Sequence, residues 1–107
     1  SLQRFVDVTS ANAAKIMGLY PRKGVIAPGS DADIVFIDPS FKRPLAKADF
    51  HITDYSIWEG FDVEGWPVLT ILRGKVVVEN GELKSSLGSG KFIPRKVDPE
   101  FASRPAC

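Results

Sequence analysis

Apolar residues along this chain change their spacing twice, and each change marks an element. In the first twenty positions Leu2, Phe5 and Val6 fall at i, i+3 and i+4, and Ala13, Ile16 and Met17 repeat the pattern. That is the stripe of a helix burying one face. Thr9 and Ser10 interrupt it with hydroxyls suited to an N-cap for a segment starting near Ala11. The pattern therefore predicts two short helices, or one broken at the cap, with Phe5 and Met17 as core contacts. Gly18 suits the position just past a helix end, and Pro21 forbids continuation.

Residues 21–33, "PRKGVIAPGSDAD", are punctuated by Pro21, Gly24, Pro28 and Gly29 and read as a loop. The spacing then closes up. Ile34-Val35-Phe36-Ile37 is a continuous apolar run ended by Asp38-Pro39, which predicts a strand over Asp33–Asp38 buried on both faces. Residues 40–66 scatter Phe41, Phe50, Tyr55, Trp58, Phe61 and Trp66 among charges and predict an ordered irregular stretch, packed on something else. Val68–Leu72 and Val76–Glu79 flank Arg73-Gly74-Lys75, a hairpin pattern in which Gly74 can take positive φ. Asn80-Gly81 is a second tight turn, returning the chain through Glu82-Leu83-Lys84 as a short third strand. From residue 85 glycine, serine and proline dominate, and the segment reads as an arm that does not fold on itself.

The length of 107 residues fits one small domain, and 44% hydrophobic with 25% charged residues is ordinary for a globular chain. Fourteen basic against thirteen acidic side chains leave no global field for nucleic acid or an anionic membrane. No apolar run approaches the ~20 residues that span a bilayer. The opening "SLQRFVDVTS" lacks the charged and apolar regions of a secretory signal. Cys107, the only cysteine, permits no internal disulfide and no thiolate zinc site, which suits a reducing, cytoplasmic setting. The chain begins at Ser1, as a processed protein or a piece of a longer one would.

Candidate chemistry is sparse. Asp31, Asp33 and Asp38 surround the first strand, but Ile34 follows Asp33 where a calcium loop needs further ligands. The expectation is a turn device: Asp31 and Asp33 accept backbone N–H groups at the strand entrance, and Asp38 starts the exit turn. His51 is the only histidine and has no nucleophile at a motif spacing, so it reads as a loop residue. "GSGKF", residues 88–92, fails as a phosphate loop because Phe92 replaces the hydroxyl and Pro94 forbids the helix start. Lys91, Arg95 and Lys96 give only a weak local positive charge.

Three stretches together resemble the C-terminal region of the dihydropyrimidinase and hydantoinase family of cyclic amidohydrolases. They are "VTSANAAKIMGLYPRKGVIAPGSDADIVFIDP", "YSIWEGFDVEGWPVLTILRGKVVVENGEL" and "GSGKFIPRK". Within them Tyr55, Glu59-Gly60, Gly65, Pro67 and Arg73-Gly74 point to the cyclic amidases, and the tail to the dihydropyrimidinase side.

The resemblance implies an α/β parent, a TIM barrel joined to a β-sandwich. Residues 1–20 would be its terminal barrel helices, 21–84 the C-terminal part of the sandwich, and 85–107 an extended arm. It implies hydrolysis of a dihydropyrimidine or hydantoin with two zinc ions at the barrel's catalytic face. The family's metal and catalytic motifs lie outside this chain, so no catalytic, metal or substrate residue is assigned here. It further implies a cytoplasmic dimer or tetramer, with Phe92, Ile93, Pro94 and Arg95 as the intersubunit contact. The sandwich would lack its N-terminal strands, leaving open edges, and the chain alone is expected to be marginal or unfolded. Two other readings stay open: a segment of a non-catalytic dihydropyrimidinase-related scaffold, and a free-standing β module binding a partner through residues 50–66.

Overall fold

A computed structural model of the chain describes residues 1–50, 54–86 and 88–103. Helix α1 spans Leu2–Val6, a π-helical turn follows over Asp7–Ala11, and α2 covers Asn12–Ile16. Val6, Asp7, Ala11 and Asn12 all keep right-handed φ and ψ, so this is one continuous helical run. The break expected at Thr9-Ser10 does not form. The Thr9 hydroxyl donates to the Phe5 carbonyl at 2.7 Å, back-bonding to the preceding turn where a cap would reach forward. The helix stays wound but widens, and the Asn12 N–H reaches five residues back to the Asp7 carbonyl.

The helix ends as its glycine predicts. Gly18 takes φ 69° and donates to the Lys15 carbonyl at 3.0 Å, while the Leu19 N–H reaches Ala14 O at 2.8 Å. These two bonds satisfy carbonyls that the last turn leaves unpaired, and the left-handed residue between them favours glycine.

Four antiparallel strands follow in the order β1-β2-β3-β4: β1 Ile34–Pro44, β2 Asp62–Leu72, β3 Lys75–Glu79 and β4 Glu82–Leu83. Both hairpins turn on two residues of positive φ, Arg73 (48°) with Gly74 (77°), and Asn80 (48°) with Gly81 (81°). That backbone matches the twist of the flanking strands. The first turn thus involves Arg73 as well as the glycine that sequence singles out.

The two long strands exceed their predicted lengths. β1 passes through Pro39 by a register shift between Asp38 and Lys42, then pairs Lys42, Arg43 and Pro44 with Glu64, Val63 and Asp62. A bulge accommodates the missing proline N–H that seemed to end the strand. Part of the stretch read as irregular, residues 40–66, is therefore sheet, with a 3-10 turn over Lys47–Asp49 beside it.

Burial departs most from expectation. The strand predicted to be buried on both faces is open on both, with Val35, Phe36 and Ile37 exposed by 53%, 49% and 43%. Phe5 and Met17, expected in the core, are also about half exposed. Among the described residues only Ala14 is a buried hydrophobe, lying beneath Gly24. Between helix and sheet runs an open groove of about 400 Å³, lined by Phe5, Val6, Val25, Ile26, Ile34 and Ile37. The apolar pattern specifies which residues seek cover; most of that cover is not supplied by the described residues.

Candidate functional site

The aspartates at the entrance to β1 form a junction of loop, strand and hairpin. Asp33 Oδ1 accepts the Arg73 N–H at 2.8 Å, from the β2–β3 turn forty residues away in sequence. Its other oxygen pairs with Lys23 Nζ. Asp31 Oδ2 accepts from Lys23 Nζ at 2.8 Å and Arg22 Nε at 3.0 Å. Next to them the Gly74 N–H donates to Ala32 O at 3.0 Å.

Asp33 is thus the expected acceptor of a backbone N–H. Asp31 is not: its carboxylate holds the Arg22 and Lys23 side chains. Asp38 behaves as an exit turn should, accepting the Ser40 N–H at 2.9 Å and its hydroxyl at 2.7 Å.

Charge balance explains the ionisation here. Lys23 and Arg22 hold the Asp31 carboxyl below its ordinary range. Burial opposes charge on Asp33, but Lys23 and the Arg73 N–H outweigh it and lower its pKa as well. Burial also opposes charge on Lys23, and the two carboxylates override it to raise the lysine pKa. The junction is therefore charged at neutral pH, and it weakens as pH falls through the lowered aspartate values or rises through the raised lysine value. It is a structural clasp.

A second cluster lies on the sheet. Phe41 and Trp66 stack with ring centroids 5.4 Å apart, and the Arg43 guanidinium sits 5.0 Å from the Phe41 centroid and 5.9 Å from that of Trp66. Arg43 also forks onto Asp49, with Nη1 donating to Oδ2 at 2.7 Å and Nη2 to Oδ1. These residues wall a concavity of about 640 Å³ floored by Val68, Thr70 and Val78. Nothing local in the sequence announces this pair, because Arg43 reaches the site only through the continuation of β1 past Pro39.

The Arg43 fork, with the Ala46 N–H, lowers the Asp49 pKa to about 2. A lowered carboxylate pKa favours the folded state above the unfolded value, and that contribution fades as pH drops through about 2. In the longer polypeptide carrying this segment, an NMR titration of aspartate carboxylates is expected to show Asp49 still ionised at pH 3. Arg43→Gln should return it toward the ordinary range of about 3.9. An unshifted Asp49 in the unsubstituted protein would contradict the fork.

The four residues assigned to an intersubunit contact lie together in the irregular segment before α3 (Pro99–Ala102). Phe92 is 91% exposed, Pro94 and Arg95 are exposed, and Ile93 is half-buried. Asp98 caps α3 by accepting the Glu100 N–H at 2.9 Å, so the tail carries one helical turn in what sequence reads as an arm. His51 and Cys107 lie outside the described residues.

Among the described residues no group of three or more histidine, cysteine, aspartate or glutamate side chains could hold a metal ion. The described donors do not fit a zinc centre. Nor is any described helix long and apolar enough to cross a membrane.

Residues 1–77 match the model of the amidohydrolase family, and the chain belongs to that family. Within it, the chain is 52% identical over 99 residues to dihydropyrimidinase of Rattus norvegicus, covering 92% of this chain and 19% of the rat protein. It is 44% identical over 97 residues to D-phenylhydantoinase of Escherichia coli, covering 90% and 21%. Dihydropyrimidinase-related protein 5 of Mus musculus is 47% identical over 99 residues, covering 92% and 18%.

Solved structures agree. A D-hydantoinase superposes with TM-score 0.86 at 42% identity, covering 91% of this chain and 21% of that one. Dihydropyrimidinase from Brevibacillus agri gives 0.87 at 40% identity, covering 98% and 22%. The chain thus spans about a fifth of the length of the relatives it matches.

Proposed function

We propose that this chain is the C-terminal portion of a metal-dependent hydrolase that opens cyclic amides, a dihydropyrimidine or a hydantoin. In this reading the parent is a TIM barrel with a companion β-sandwich. The helical run closes the barrel, and the four strands form the later part of the sandwich. Two zinc ions and the catalytic side chains sit elsewhere in the parent, and this segment serves fold and assembly. The parent works in the cytoplasm as a homo-oligomer, with Phe92, Ile93, Pro94 and Arg95 reaching a neighbouring subunit.

The observation carrying the reading is the 52% identity to rat dihydropyrimidinase across 92% of the chain. The test is an assay of the longer polypeptide carrying this segment, on a dihydropyrimidine and on a hydantoin. Ring opening is expected for at least one, lost after chelation and regained with zinc. No turnover of either substrate with metal supplied would favour the scaffold alternative, to which the 47% identity with the mouse relative also connects the chain.

The oligomer contact has its own test. Phe92→Ala is expected to weaken subunit association by about thirtyfold, the effect of losing an anchor worth about 2 kcal/mol. Light scattering across a dilution series reads this directly. An unchanged dissociation midpoint would remove Phe92 from the interface.

A further inference from the structure

An open groove runs between the helical run and the sheet. The aspartate clasp at Lys23, Asp33 and Arg73 is one connection between them. The tail makes a second, and nothing in the proposed activity calls for it.

At the sheet, the Arg73 guanidinium leaves the tip of the β2–β3 turn and donates to the Ser89 carbonyl. At the helix, the Gly18 carbonyl accepts the Lys96 N–H at 2.8 Å. Gly18 is also where the tail presses hardest on the chain. A Cβ there would stand 2.6 Å from both the Lys96 carbonyl carbon and the Val97 nitrogen, closer than a side chain can approach backbone. The glycine consequently has two independent reasons to be glycine: its φ of 69° and the crossing of the tail.

We propose that residues 89–97 are a strap, pinned at Arg73 and at Gly18, that ties the end of the helix to the tip of the first hairpin. Gly18 makes the crossing possible because only a residue without a side chain leaves room for it. Arg73 serves both connections, its backbone N–H bound by Asp33 and its guanidinium holding Ser89. Releasing either pin frees the tail and loosens the helix from the sheet. Between the pins Phe92 points away from this chain, 91% exposed, on backbone that the strap restrains at both ends. Neither pin involves what the parent hydrolyses or any contact of Phe92 with another subunit.

The test uses the longer polypeptide carrying this segment and follows amide hydrogen exchange in the peptide containing Lys96. Gly18→Ala is expected to speed that exchange at least tenfold. Gly29→Ala, which also places alanine at positive φ but in open space, should leave it unchanged. Equal exchange in both variants and the unsubstituted protein would overturn the crossing at Gly18.

If Gly18→Ala does not fold, Arg73→Gln tests the other pin. Trypsin cleavage after Lys91 should then become several-fold faster with the melting temperature nearly unchanged. Unaltered cleavage would overturn the pin at Ser89.

Discussion

In a urea titration of these 107 residues by themselves, the fluorescence of Trp58 and Trp66 should drift, with no sharp transition and a slope well below the ~1 kcal/mol/M of a cooperative domain this size. A compact protein of 11.7 kDa exposes roughly 5,900 Å², whereas this chain exposes 8747 Å². Its radius of gyration is 16.3 Å, against about 13 Å for a compact chain of similar length. The excess surface is apolar where it matters: Phe5, Val35, Phe36, Ile37, Trp58 and Phe61 all stand open. Ala14, alone buried among the described hydrophobes, is no core, so ordering the backbone has little hydrophobic gain to oppose its entropy cost. The open outer edge of β1, with its apolar Ile34–Ile37, also favours aggregation. A steep, reversible transition would show that the chain folds autonomously, and the partner-binding module would become the better reading.

The second expectation concerns the loop packed against the helix at Ala14, the one buried hydrophobe among the described residues. Gly24 adopts φ 84°, and a Cβ there would lie 2.5 Å from Ala14 Cβ and 3.0 Å from Ser10 O. Gly24→Ala in the longer polypeptide therefore combines left-handed strain with overpacking against the helix, a loss of about 2–4 kcal/mol. Gly29 adopts φ 90° with nothing within 4 Å of its Cβ position. Gly29→Ala meets the conformational strain alone, about 1–2 kcal/mol. Denaturation midpoints of the two variants separate the terms, because crowding is their difference. Equal losses would mean that the loop does not approach Ala14 as closely as the structure places it.

Local chemistry made much of this fold legible. Gly18 and Pro21 end the helix because one tolerates positive φ and the other cannot continue the helix. Arg73-Gly74 and Asn80-Gly81 turn the hairpins for a similar reason, although positive φ at Arg73 shows that a hairpin can impose this geometry on a non-glycine residue. The errors share a different cause. Pro39 looked like the end of a strand, and a bulge carried β1 past it. Thr9 and Ser10 looked like a cap, and back-bonding kept the helix wound. In each case a local signal offered two satisfactory hydrogen-bond arrangements, and the surrounding chain selected one.

Sequence by itself determined the order of helix, loop and antiparallel hairpins, the glycines at their ends, the structural role of Asp33 and Asp38, and the resemblance to cyclic amidohydrolases. These depend on backbone sterics and hydrogen bonds within a few residues, or on motifs that survive as strings. Tertiary structure alone decided that Asp33 meets Arg73, that Lys23 holds Asp31, that Arg43 stacks on Phe41 and forks onto Asp49, and that the tail crosses Gly18. Most join residues whose spacing in sequence carries no period, and Phe41 and Arg43, two apart, share a face only because β1 continues past Pro39. It decided burial as well. An apolar run states a demand for cover, and whether the demand is met depends on which other surfaces are there to meet it.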